Sequence, residues 1–242
     1  MIEEMVVSLV RTKPFYAHFV QQMNRIKTGK VPTLGVNITD RINLFFNPEF
    51  LEGLIFDERV ACLEHEVLHL LNCHLFRGDG KDHKIFNVAC DLAINPYIAN
   101  LPKVGLLPEQ FGLEEGKTAE WYYKKLIENK AETEVLIMKA DASMLDDHDL
   151  WKESTKDAEY QQEFLRRSIK HSLDETQDYG SLPGNLQEEL KEFLKAPLLT
   201  GNVYLNGFCC MPRSYVLFFQ GSDRTGVLKS FRARKSSRNS SF

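Results

Sequence analysis

Asp57-Glu58-Arg59-Val60-Ala61-Cys62-Leu63-Glu64-His65-Glu66-Val67-Leu68-His69-Leu70-Leu71-Asn72-Cys73-His74-Leu75 is the segment that decides the architecture of this chain. Val60, Leu63, Val67, Leu68, Leu70, Leu71 and Leu75 recur at helical spacing and leave almost no polar face, the pattern of a buried helix. Asp57 is the expected N-cap, and the helical pattern runs to Leu75. Inside it, His65-Glu66-Val67-Leu68-His69 is an H-E-x-x-H sequence. Residues i and i+4 lie one turn apart on one face, so both imidazoles can reach a single ion. Glu66 projects toward that site without joining it, placed to take a proton from a metal-activated water and return it to a leaving amine. Two histidines with Glu64 and Glu66 on an apolar helix would be expensive to bury without a partner, and a cation is the simplest one. The competing reading is a chance match, with a buried histidine bonded to a backbone carbonyl. The metal reading implies zinc and metal-assisted hydrolysis.

Downstream, Gly78-Asp79-Gly80-Lys81-Asp82 breaks the pattern, and a second helix is expected from Lys84 to Ile94, ending where Pro96 disfavours the α conformation of Asn95. The short loop makes the two helices neighbours in space. A catalytic zinc needs three protein ligands and one open position. One candidate is Asp91, from the stripe Asn87, Asp91, Asn95 on an otherwise apolar helix, with the flanking amides supporting the site. The bland alternative is a stripe facing solvent. The other candidate is His74, which lies about 140° around an ideal helix from His69 and could bind only if the helix ended before it. Otherwise His74 is a buried or capping histidine near a helix C-terminus. Cys90 reads as a small core residue. His148, in Asp146-Asp147-His148-Asp149, could be an oxyanion donor or further ligand, but such a cluster reads first as a solvated turn.

Upstream, residues 2–12 suit an amphipathic helix or turn that Pro14 interrupts, and 15–27 read as a helix through Phe15, Phe19, Met23 and Ile26, closed by Gly29. Leu34, Val36 and Ile38, then Ile42, Leu44 and Phe46, alternate on either side of Thr39-Asp40, which predicts a hairpin. Further helices are expected over 117–134, 157–173 and 186–194. The chain of 242 residues has 43% hydrophobic and 26% charged residues, which excludes a disordered or fibrous class. It divides into a domain over 1–199 and a basic tail over 200–242. The tail holds six basic residues between Arg224 and Arg238, yet the net charge of −4 disfavours a large phosphate-binding surface, so no nucleic-acid partner is expected. Glu3 and Glu4 stand where a secretory signal needs basic residues, and no apolar run approaches the ~18 residues of a membrane span. Five cysteines without framework spacing suit a reducing compartment, so a cytoplasmic protein is expected.

Taken together, His65-Glu66-x-x-His69-x4-His74 and Asn87-x-Ala89-x-Asp91-x-x-Ile94-Asn95 resemble the putative metallopeptidase domain family of bacterial and phage proteins, often joined to a von Willebrand factor A-like domain. Asn43-Leu44-Phe45-Phe46-Asn47-Pro48 and Asp147-His148-Asp149-x-Trp151 are also similar to that family, and the resemblance covers roughly residues 15–195. It implies a zincin-like α+β fold, mostly helical, with a small β-hairpin or sheet beside the H-E-x-x-H helix. It further implies His65 and His69 as zinc ligands, Asp91 as the third, Glu66 as general base and a peptide or protein substrate. Too little chain follows residue 200 for a full von Willebrand factor A-like domain, so a stand-alone or truncated member is expected. The alternative is a noncatalytic module stabilised by zinc, a scaffold for a partner ATPase or von Willebrand factor A-like protein.

Overall fold

The first helix, α1 (Ile2–Thr12), buries Ile2, Met5, Val6 and Leu9 along one stripe and carries Glu3 and Glu4 in its first turn, where the helix dipole favours acids. Pro14 then opens α2 (Pro14–Gln21), whose Phe15 and Phe19 rings stack with centroids 5.8 Å apart. The computed structural model describes residues 1–139, 150–151 and 158–195. The acidic cluster 146–149 and the basic tail lie outside the described residues.

The helix expected over 15–27 is corrected: it ends at Gln21, and Asn24–Lys27 forms strand β1. Ile26 matched helical spacing, but β1 pairs in parallel with β3 (Ile42–Phe46) from Asn24↔Asn43 to Lys27↔Phe46, and that long-range ladder overrides the local period. The expected hairpin is present, with β2 (Leu34–Ile38) antiparallel to β3 in the register Ile38↔Ile42 and Leu34↔Phe46. The sheet order is therefore β1-β3-β2. Buried Asn43 ties its strands together: its amide nitrogen donates to Asn37 Oδ1 at 2.8 Å, and its Oδ1 accepts from Asn24 at 2.9 Å.

Asn47 caps the short helix α3 (Pro48–Glu52) by accepting from the Glu49 amide at 3.0 Å. The long helix, α4 (Phe56–Leu71), starts one residue before the expected cap, so Asp57 sits in its first turn. The cap is made instead by Glu58, whose carboxylate accepts from the Ile55 amide at 3.2 Å. Every residue from Ala61 to Leu71 is buried. The helix ends at Leu71, four residues short of the expected end, because Cys73 adopts φ 54° in the left-handed region and reverses the chain into a 3-10 turn over His74–Phe76.

Helix α5 (His83–Ile94) is capped by Asp82, which accepts from the Ile85 amide at 3.3 Å. Two apolar clusters flank it. Phe86, Cys90 and Ile94 join the main core with α1, α2, α4 and the sheet, while Ile85, Val88, Ala89 and Leu92 join a smaller one with Leu106, Tyr122 and Leu126. Asp91, buried at 4% exposure, is thereby held inside the protein, so the solvent-facing reading of its stripe is excluded at that position. The helix expected over 117–134 divides at Asn129 into α6 (Ala119–Glu128), capped by Thr118, and α7 (Lys130–Lys139). Helices α8 (Ala158–Thr176) and α9 (Gly184–Lys195) complete an α+β architecture, mostly helical around a three-stranded sheet. Among the described residues no helix is long and apolar enough to cross a membrane.

Candidate metal centre

Burying polar side chains in the middle of α4 is offset by the apolar ones around them, each contributing ~1.5–3 kcal/mol on full burial. His65 is 5% exposed, Glu66 1% and His69 0%. One turn apart on the same helix face, the two imidazoles point their Nε2 atoms at each other at 2.9 Å. From α5, Asp91 brings Oδ1 to 3.2 Å from His69 Nε2 and 3.7 Å from His65 Nε2. Donors bound at ~2.0–2.1 Å around a tetrahedral ion lie about 3.3–3.4 Å apart, so this triangle has the size such an ion needs. Among the described residues, His65, His69 and Asp91 are the group of ligand-bearing side chains close enough together to hold a metal ion.

The hydrogen bonds behind His65 give its inward nitrogen the right character. Asn95 donates through Nδ2 to the Leu106 carbonyl at 2.8 Å, so its Oδ1 faces His65 Nδ1, also at 2.8 Å. An amide oxygen only accepts, so Nδ1 carries the ring proton, and in the neutral imidazole Nε2 presents a lone pair to the triangle. An outer partner that sets tautomer and ring direction is the usual companion of a metal-binding histidine. Two imidazole nitrogens and a carboxylate oxygen, converging in a buried space, fit a divalent cation by donor chemistry as well as by size.

Glu66 lines a narrow hollow with His65, Leu34, Cys62, Asn95, Leu101 and Pro102. The hollow has room for about one water. The carboxylate, one ligand-bearing imidazole and the Asn95 amide therefore line one small hollow whose remaining wall is mainly apolar. Glu64 points elsewhere: its carboxylate accepts from Lys13 Nζ at 2.6 Å, tying α4 to the junction of α1 and α2. Tyr16, close by, has its phenol pushed far above the ordinary range, by burial first and then by the charges of Glu64 and Asp178.

The structure thus brings together His65, Glu66, His69 and Asp91. The condition for His74 to approach the ion, an early helix end, is met, but the turn places its Nδ1 2.9 Å from His69 Nδ1, on the ring edge remote from the triangle. His74 is not in the converging group. Asn95 supports the site, whereas Asn87 turns its amide toward His83 Nδ1 at 3.3 Å. Cys90 is a fully buried core residue whose thiol is pushed up by that burial. His148 lies outside the described residues. Periodicity gives no hint of Trp151, which is buried with its ring 5.1 Å from that of His69 and 6.4 Å from that of His74.

Fold and site together define an α+β protein with a buried histidine-histidine-aspartate group able to bind a metal ion. The family model described as Putative metallopeptidase domain matches residues 3–209, and the chain belongs to that family. It is similar to an uncharacterized protein of Thermotoga maritima, with 29% identity over 124 residues, 49% of this chain and 31% of that relative. The chain therefore spans under a third of the length of the curated relative it matches. No solved structure matches it.

Proposed function

We propose that this chain is a zinc-dependent metallopeptidase in which His65, His69 and Asp91 hold the ion and Glu66 is the general base. The observation that carries this reading is the converging triangle of His65 Nε2, His69 Nε2 and Asp91 Oδ1 beside the buried carboxylate of Glu66. A zinc ion held there supplies Lewis acidity, lowering the pKa of a water toward ~7 and polarising a substrate carbonyl. Glu66 accepts the proton of the attacking water and delivers it to the leaving amine, so the amide C–N bond breaks as a C–O bond forms and no net proton is consumed by the base. Asn95 keeps His65 in the tautomer that leaves Nε2 free of its proton. A zincin-like arrangement is the fold reading that goes with these roles, and the buried cysteines Cys62, Cys73 and Cys90, which form no disulfide, support a reducing, cytoplasmic setting.

One observation favours a second reading. The site is closed over, with His69 fully buried and space for about one water beside Glu66. A noncatalytic, zinc-stabilised module that serves a partner ATPase or von Willebrand factor A-like protein would have such a site. The two readings separate on zinc-loaded wild type and Glu66→Gln, assayed against a broad peptide library and unfolded proteins. Peptide cleavage by wild type, lost in Glu66→Gln at unchanged zinc content, is the expected result. Absence of cleavage that depends on Glu66 would overturn the peptidase reading.

A further inference from the structure

His74 was a candidate ligand by its sequence position, yet the fold spends an unusual backbone conformation to put it behind His69 rather than at the ion. Cys73, with a β-carbon, sits at φ 54°, a region that non-glycine residues enter at a cost and that concentrates where local geometry matters. That residue ends α4 and swings the following 3-10 turn back, so that His74 Nδ1 meets His69 Nδ1 at 2.9 Å in a fully buried contact. Trp151 packs its ring against both imidazoles, 5.1 Å and 6.4 Å away between centroids, and so restricts their rotation.

Two nitrogens at that distance share one proton. His69 turns Nε2 to the triangle, 3.2 Å from Asp91 Oδ1, so ligation through Nε2 requires the ring proton to reside on Nδ1. Its neighbour must then be the acceptor, which in turn places the proton of His74 on Nε2. We propose that His74 is a positioning residue for the metal centre, a neutral acceptor that fixes the tautomer and ring plane of His69 as Asn95 does for His65. This rests on the metal reading given above.

The test uses the full chain as wild type, His74→Ala, His74→Gln and His69→Ala, checked for folding by circular dichroism. Zinc affinity is read by competition with a chromophoric chelator, and histidine tautomers by long-range proton–nitrogen NMR of the wild type. His74→Ala is expected to weaken zinc binding roughly 10–100-fold, and His74→Gln, whose amide oxygen can accept the same proton, to recover most of the loss. The NMR spectrum should show the proton of His69 on Nδ1 and that of His74 on Nε2, a result that needs no variant to fold. Wild-type affinity in His74→Ala, or a His74→Gln variant no better than alanine, would overturn the positioning role alone. A zinc-shifted His74 nitrogen would overturn it in favour of direct ligation. Folded wild type that takes up no zinc would instead overturn the metal reading on which it rests.

Discussion

Asp91→Ala removes the one donor that α5 contributes, and its effect on stability can be worked through in advance. Asp91 Oδ1 closes the triangle at 3.2 Å and 3.7 Å from the two imidazole nitrogens, so its loss leaves a two-histidine site on a single helix. Zinc at a hundredfold excess over its dissociation constant stabilises the wild-type fold by ~2.7 kcal/mol. For a domain of this size each kcal/mol moves the melting temperature by ~2–4 °C, so zinc should raise it by about 5–11 °C. If the third donor is worth a hundredfold in affinity, the same free zinc only half-saturates the variant and stabilises it by ~0.4 kcal/mol, about 1–2 °C. Differential scanning fluorimetry of chelator-stripped protein, with and without buffered zinc, measures both shifts. A full zinc shift in folded Asp91→Ala would refute its role as ligand, and no shift in wild type with zinc or other divalent ions would refute the site.

Three further outcomes follow from contacts around the site. Lys13→Ala leaves Glu64 buried without the cation that lies 2.6 Å away; because Lys13 is partly exposed, the expected loss is ~1–3 kcal/mol in urea unfolding at pH 7. Asp82→Ala removes the N-cap of the helix that carries Asp91 and should cost ~1 kcal/mol. Lys130 first, and then the Ile85 amide, hold the Asp82 carboxyl below its ordinary range, so its share of stability is present at neutral pH and lost as pH falls through the folded pKa; Asp82→Ala should flatten that acid limb of the stability curve. Tyr16 has the opposite sign. Its phenol is raised by burial, so it supports the fold below the unfolded value near ~10 and is forced to ionise against the fold as pH rises beyond it. Tyr16→Phe should therefore blunt the loss of stability as pH rises from about 10 upward, measured by urea midpoints.

Local chemistry in the sequence determined a good deal about this protein. Leucine and valine at helical spacing specify α4, the H-E-x-x-H spacing puts His65 and His69 on one face, and the alternation around Thr39-Asp40 specifies the β2-β3 hairpin. The apolar surroundings of Asp91 mark it as buried, because a carboxylate in that company needs a strong partner. The rest depended on contacts between segments distant in the chain, to which periodicity is blind. Asn24–Lys27 continues a helical pattern and becomes a strand only because β3 offers it a ladder. Where α4 stops was decided by the left-handed turn at Cys73, which no glycine announces. The convergence of Asp91 on two imidazoles, the assignment of the His65 proton through Asn95 and Leu106, and the Trp151 ring against His69 all arise from tertiary packing. Sequence spacing orders side chains along one helix, but only the packing of α4 against α5 sets the few ångströms between ligands that an ion requires.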